Sequence, residues 1–467
     1  MKLPPIVRGL VLFLSVFLIP RTISHAEGPL FVGGTFGVSG KPFVWLINPL
    51  TYWTDQGTLG TLSNANADSL VKNAFQAWQD VPTASINFSQ AGKLPTDVTS
   101  SNIMTVLDQL YNCSTPINPS NSSFIARDRT IVYDTDGSAI RALGDDPNLV
   151  LGEATPVCLS SDGTNNFFQR GLAILNGKPL TNGTSTPTDV QATMVHEFGH
   201  LIGLDHSQIN LNCLTATCTS DDEAGVPIMF PVAVNPSRTT LSTDDLAGIS
   251  VLYPETVSKP PAQVPFTTLG RIQGRIFFSD GQTQAQGFNV IARQVDDPST
   301  PQNESRIIAV SVVSGFLFTS DAGNVVVPSS LTEEPFGSHD TTLYGFFDIP
   351  GLPPGTYTLE VEGINNSGVF PFVFGSSVGP VGGLGFQFLL PGPCSPQLLA
   401  DEATHAATCG GPADPPPAQL SVTSGAPLTG EDIILIGSSP RCDAWEDCPQ
   451  RRCGQERSGW RGRTGDR

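Results

Sequence analysis

Three of the chain's six histidines fall in one run of eleven residues, His196-Glu197-Phe198-Gly199-His200-Leu201-Ile202-Gly203-Leu204-Asp205-His206, and no other segment restricts the fold as tightly. Upstream, Thr186 reads as an N-cap, with Pro187 at the first helical position and Asp189 three residues after the cap. Val190, Met194, Val195, Phe198, Leu201 and Ile202 then recur every three to four residues, so they form the core-facing stripe of a helix. Gly203 ends that helix, because a residue without Cβ adopts the left-handed conformation that stops it. His196 and His200, four residues apart, project from one face, so two imidazoles can meet one ion. Gly203 turns the chain back and brings His206 to the same ion. Three neutral imidazoles with a fourth position open for water are the donor set of a catalytic rather than a structural zinc. Glu197 stands beside the open position and can take a proton from that water. Ordinary helix histidines would not require five specified residues in the pattern His-Glu-x-x-His-x-x-Gly-x-x-His.

Up to about residue 253 the chain alternates helix and strand patterns. Strands are expected over 44–47, 51–53, 130–133, 149–151 and 171–175, each bounded by turn formers. Leu70, Val71, Ala74, Phe75 and Trp78 have helical spacing and predict an amphipathic helix packed on the sheet. A Pro-rich stretch, 254–265, reads as a linker. Beyond it the period changes to two: Ile272, Gly274, Ile276 and Phe278, then Phe288 and Val290, then Tyr357, Leu359 and Val361 alternate with polar or small residues. That pattern predicts an all-β module, most simply a sandwich. Residues 366–440 are Gly-rich, with Ile433-Ile434-Leu435-Ile436 as a late strand. The last nineteen residues carry six Arg and read as a solvated basic tail.

With 24 Lys and Arg against 43 Asp and Glu, the net charge of −19 repels a polyphosphate backbone and an anionic bilayer, which excludes nucleic acid as an expected partner. Residues 1–26 have the form of a secretory signal peptide: Lys2 and Arg8, an apolar run of about eleven residues from Gly9, then the small residues of Ser24-His25-Ala26. A spanning helix needs about twenty apolar residues, so no transmembrane anchor is expected. Nine Cys suit an oxidising compartment. Cys213 with Cys218, Cys113 with Cys158 and Cys394 with Cys409 are candidate pairs, and Cys442, Cys448 and Cys453 leave an odd thiol.

The 196–206 motif resembles the metzincin signature of zinc metalloproteases. Ile228-Met229-Phe230-Pro231 is similar to the Met-turn of that clan, and Ser207 after the third His resembles the matrixins, the matrix-metalloproteinase group. The stretch from Leu241-Ser242-Thr243-Asp244-Asp245 to Ile249, followed by Leu252-Tyr253-Pro254, resembles the matrixin C-terminal helix. Ala74-Phe75-Gln76-Ala77-Trp78 is similar to its first helix. The resemblance covers about 41–254. It implies a zinc endopeptidase cleft with a five-stranded sheet above the zinc, a smaller subdomain below it, and Met229 as a hydrophobic floor under the three His. It also implies that an extended substrate adds along an edge strand over 149–154.

Several features depart from the family. No His lies between Ala26 and Val195 to hold a second, structural zinc. Asp134, Asp136 and Gly137 form a candidate calcium loop. Pro231-Val232-Ala233 replaces the family's Pro-x-Tyr. Too few residues follow Ala26 for a propeptide with a cysteine switch, and Arg452-Cys453-Gly454 echoes such a switch only at the far end of the chain. The stretch 268–365 resembles a carboxypeptidase-regulatory-like, transthyretin-like sandwich through Tyr344-Gly345-Phe346-Phe347-Asp348-Ile349 and Gly351-Leu352-Pro353-Pro354-Gly355-Thr356-Tyr357.

The expected fold is therefore an α+β zincin-like catalytic domain, a mixed sheet with an active-site helix, followed by an all-β sandwich. The expected boundaries are 1–26 signal peptide, 27–254 catalytic domain, 255–267 linker, 268–365 sandwich, 366–448 Gly-rich region and 449–467 tail. The expected function is a secreted zinc endopeptidase acting on protein or peptide substrates, with His196, His200 and His206 as metal ligands and Glu197 as catalytic base. The rival is a secreted adhesion protein with an inactive protease-like domain, against which the intact Glu197 and ligands argue.

Overall fold

The computed structural model describes residues 28–435 apart from 34–35, 39, 208, 215–217, 258–262, 279–280, 286–287, 316–341, 364–396, 400–405 and 409–417. The signal peptide, Cys394, Cys409, the three C-terminal Cys and the basic tail lie outside the described residues.

The first sheet has at its centre the strands that are buried along almost their whole length. β1 (Phe43–Val44), β2 (Leu50–Thr54), β3 (Phe88–Lys93), β4 (Arg129–Asp134), β5 (Gly152–Ser161) and β6 (Asn166–Asn176) are ordered β1-β6-β4-β2-β3, all pairs parallel, with β5 antiparallel to β6. Every residue of β4 is buried, and so is nearly all of β6. That is the signature of central strands covered on both faces.

One face is covered by α1 (Asn64–Gln79) and α5 (Pro187–Ile202), the other by α2 (Ile103–Tyr111) and α3 (Ser138–Leu143). Ser63 caps α1 by accepting the amide of Asn66, and Ala67, Val71, Ala74, Phe75 and Trp78 form its buried stripe. The Phe75 and Phe198 rings stack 3.9 Å apart between centroids, and the Trp78 indole donates to the carbonyl of Val195 at 2.9 Å. These two contacts seat α5 on α1. The short α4 (Lys178–Asn182) leads into α5, and α6 (Ser220–Gly225) and α7 (Thr243–Leu252) follow it.

The structure changes the sequence reading at several strands, and the one expected over 44–47 shortens to Phe43–Val44. Residues 149–151 are not strand: the amides of Leu149 and Val150 both bond the Asp146 carbonyl, and Asn176 takes the carbonyls of Pro147 and Val150, so the edge strand begins only at Gly152. The sheet has six strands rather than five, counting the two-residue β1. β3 leaves no strand signal in the sequence, because its Ser89, Gln90 and Ala91 are exposed and carry no apolar alternation.

The C-terminal region is β-rich. β7 (Gly270–Phe278), β8 (Phe288–Gln294), β9 (Ala309–Val313), β10 (Phe346–Leu352) and β11 (Gly355–Gly363) carry most of it, with the short α8 (Glu304–Ile307) between β8 and β9. The short strands β12 (Gln397–Leu399), β13 (Ala406–Thr408), β14 (Leu420–Val422), β15 (Pro427–Thr429) and β16 (Ile433–Leu435) complete it. In β7 burial alternates residue by residue, as the period of two requires, and Ile272, Ile276 and Phe278 enter a core with Phe288, Phe347, Tyr357 and Leu420.

This region packs directly on the first sheet's region, through α7. Ala247 of α7 belongs to its core. Gly351, at φ 76°, permits the approach, since a Cβ there would stand 2.6 Å from that of Ala247. The expected linker runs back along the catalytic region: the amides of Glu255 and Val264 bond the carbonyls of Thr83 and Pro82, and that of Phe266 bonds the Glu255 carbonyl.

Replacing Phe75 by Ala should lower the unfolding free energy in urea by about 3–5 kcal/mol, the usual cost of removing a buried Phe side chain. A loss below about 1 kcal/mol would show that the Phe75–Phe198 stack does not hold the two helices together.

Candidate metal centre

The helix α5 is held at both ends before any metal is considered. At its start Thr186 and Asp189 form a reciprocal capping box, with bonds of 2.7 and 3.3 Å. At its end, carbonyls that have no partner within the helix are taken by distant side chains: the Trp45 indole donates to Leu201 at 2.8 Å, and the Tyr253 hydroxyl donates to Ile202 at 2.7 Å. Gly203 sits at φ 106°, and the next amide, that of Leu204, bonds back to Gly199. The chain then reverses beneath the N-terminal segment. The amide of Leu30 bonds the carbonyl of Gly203, and the amide of Asp205 bonds that of Gly28.

This reversal delivers His206 to the other two imidazoles. Its Nε2 lies 3.1 Å from Nε2 of His200 and 3.3 Å from Nε2 of His196. Zinc–nitrogen bonds of about 2.05 Å in a tetrahedron place their nitrogens roughly 3.3 Å apart. Both separations fit one such ion, and all three ligand nitrogens lie within 4.8 Å of one another. The outer nitrogens agree with this. His196 Nδ1 lies 2.6 Å from the carbonyl oxygen of Ile228, and His200 Nδ1 lies 2.9 Å from that of Leu204. A carbonyl only accepts, so both Nδ1 atoms carry the proton and both Nε2 lone pairs face inward. Burial also lowers the pKa of His196, and that of His200 to about 3, with His196 adding to the latter, so both rings are neutral and ready to ligate. Among the described residues these three are the one group of His, Cys, Asp and Glu placed to share an ion.

Glu197 is buried on the same helix, against the start of β5. Burial first, and the neighbouring charge of Glu153 second, push its carboxyl up to about 8, while a backbone hydrogen bond with Ala154 opposes them. A divalent cation beside it acts in the opposite sense and favours the carboxylate. Gly152 makes room for it: a Cβ there would meet Cγ of Glu197 at 2.8 Å and its Cδ at 3.1 Å.

Below the histidines, Met229 is fully buried against Gly199, where a Cβ would stand 2.1 Å from its sulfur. Its turn is held by Asp245 of α7, which accepts the amides of Ile228, Met229 and Ser242 at 2.8, 3.1 and 2.6 Å. The turn in turn presents the Ile228 carbonyl to His196. Sequence reasoning found all three ligands and Met229, but missed Trp45, Gly152, Tyr253 and Asp245 as supports. Asp245 and Tyr253 left a trace only as parts of the C-terminal-helix resemblance, and the Asp-Asp pair reads equally well as ordinary capping.

Two disulfides stand among the described residues: Cys113–Cys158, tying the end of α2 to β5, and Cys213–Cys218, closing the loop after the third His. Asp134 accepts the amide of Ile140 at 2.9 Å and Asp136 that of Ser138 at 3.0 Å. Both carboxylates of the candidate calcium loop thus serve the start of α3. No described helix is long and apolar enough to cross a membrane.

Comparison with curated proteins found no match. The family model described as Matrixin matches residues 44–254, which bound the whole six-stranded sheet except Phe43, the helix α5, the Met-turn and α7. Taken with the three converging nitrogens, that match makes this part of the chain a matrixin zinc metallopeptidase domain whose zinc-binding group is His196, His200 and His206.

Proposed function

We propose that the chain is exported and cleaves extended segments of extracellular proteins, with Glu197 as the general base. The observation that carries this reading is one buried carboxyl on the helix of two of the ligands, packed against Gly152 at the start of β5, a strand whose one partner among the described residues is β6. Zinc, when bound, supplies the Lewis acidity that polarises a scissile carbonyl and acidifies water. Glu197 accepts the proton of the attacking water and passes it to the leaving amine nitrogen, so it must begin ionised. Among the described residues β5 has only β6 as a strand partner, and its other edge is open to a peptide pairing as a further strand.

Export rests on the form of residues 1–26 and agrees with the two disulfides, which persist in oxidising compartments. The domain division proposed is the one read from the sequence, with 27–254 catalytic and 268–365 a carboxypeptidase-regulatory-like sandwich.

Two variants separate ligand from base. Glu197→Ala removes the proton acceptor and no zinc-binding nitrogen, so zinc content should stay near the parent value while cleavage of unfolded casein falls at least about a hundredfold. His200→Ala should lower both. A Glu197→Ala protein that keeps most of its activity would reject the base assignment. Chelation of the parent should abolish cleavage, and activity that survives complete zinc removal would reject the mechanism.

A third variant tests the position of the carboxyl. In Gly152→Ala the new methyl group displaces Glu197, so kcat should fall by about tenfold or more with zinc content unchanged, since small misplacements of a reacting group are costly. An unchanged kcat would mean that Glu197 does not act from where it lies.

A further inference from the structure

Two of the three ligands ride on α5, but His206 sits on a loop, and its position is only as definite as that loop. The residues that follow it are held in part by segments of the chain outside the stretch that matches the family model. Ser207 donates its hydroxyl to one oxygen of Asp244, and the other oxygen of Asp244 accepts the backbone amide of Ser311 on β9 at 2.7 Å. Ile209 is fully buried in a cluster with Ile291 of β8 and Ala309 of β9.

Asn210, at φ 58°, has a side chain engaged on three sides. Its Oδ1 accepts Nη1 of Arg293 on β8 at 2.9 Å, and its Nδ2 donates to the carbonyls of Asp222 and Arg306 at 2.8 and 2.9 Å. Arg293 is itself buried, donates through Nε to Glu360 of β11, and reaches the Ser305 carbonyl at 3.2 Å.

A buried Arg–Glu pair costs several kcal/mol per ion in desolvation, and an apolar pair of similar volume would often be no less stable. For a module that only spaced the catalytic domain, such a pair would bring no return. Here the guanidinium, neutralised by Glu360, has a donor left over, and that donor meets the loop four residues after a zinc ligand.

We propose that Arg293 is a positioning residue for the zinc site: acting through Asn210, the C-terminal β-rich region clamps the loop that carries His206. This inference rests on the three-histidine zinc site and adds that the site is completed from outside the metallopeptidase domain. The clamp does not touch the ion. It narrows the range of positions open to His206 and so slows release of the metal, as supports one step removed from a ligand do.

The test uses the full chain, and its first readout is the rate at which a chromophoric chelator removes zinc, well below the unfolding temperature. In R293M/E360L the pair is replaced without leaving a buried charge. In Asn210→Gly the side chain is lost and the left-handed backbone is kept. The control, Val361→Ala, weakens the core of the C-terminal region away from the loop.

Zinc release should accelerate about tenfold or more in both clamp variants and stay within about twofold of the parent in the control. The visible spectrum of the cobalt-substituted protein should change in the clamp variants alone. Parent-like release in Asn210→Gly, or in R293M/E360L, would overturn the proposal. So would equal acceleration in Val361→Ala, which would trace the effect to global stability. If R293M/E360L does not fold, Asn210→Gly decides the matter. A parent chain that bound no zinc would instead refute the three-histidine site, a separate failure with its own signature.

Discussion

The reversal of the chain at Gly203 is the constraint on which the metal centre depends. Had α5 continued, residue 206 would lie about 15 Å along the axis from residue 196, about 9 Å from residue 200 and roughly 80° or more round from both, because each helical residue rises about 1.5 Å and turns about 100°. The left-handed conformation at Gly203, with φ 106°, stops the helix within one residue. A side chain there would be strained by its backbone and would press on Phe168, 2.9 Å from the added Cβ. The two backbone bonds to the segment at 28–30 then hold the reversed chain. One glycine thereby converts a helical pair of ligands into a three-sided cage.

Around that cage, polar groups are buried with their partners supplied by distant parts of the chain. Trp45, Tyr253 and Trp78 donate to carbonyls of α5 from three separate parts of the chain. Asp245 collects three backbone amides of the Met-turn and its own cap. A buried carboxylate satisfied by backbone donors is well suited to holding a tight turn, because each bond removes an orphan amide as well as solvating the charge. The consequence reaches the metal site through the Ile228 carbonyl, which decides the tautomer of His196.

The relation of the two regions is closer than a Pro-rich junction suggests. Ala247 belongs to the second core, Gly351 is shaped to receive it, and the connecting segment is hydrogen-bonded along Pro82 and Thr83. Gly225 makes a further close approach, since a Cβ there would collide with the carbonyl of Arg306. Two glycines at such contacts allow the backbones to approach more closely than any side chain would permit.

The amino-acid sequence by itself determined the ligands, the base candidate and the helix that carries two of them, because these depend on spacing within the twenty-one residues from Thr186 to His206 and on local capping. Thr186, Asp189 and Gly203 act on their own neighbours, so their roles are legible without a fold. It also showed a strand at 130–133, though not its central place in the sheet, and the change of period beyond residue 265. The strand expected at 149–151 was lost to a local competition, the capture of two amides by the Asp146 carbonyl, which apolar patterning does not register. The remaining features were decided only by tertiary structure. Glu197 meets Gly152, Trp45 meets Leu201, Asp245 meets the Met-turn, and Arg293 meets Asn210, across separations that leave no periodic trace. Each of these pairs exists because a group buried by folding must find its partner among whatever the topology brings beside it, and that choice is made in space rather than along the chain.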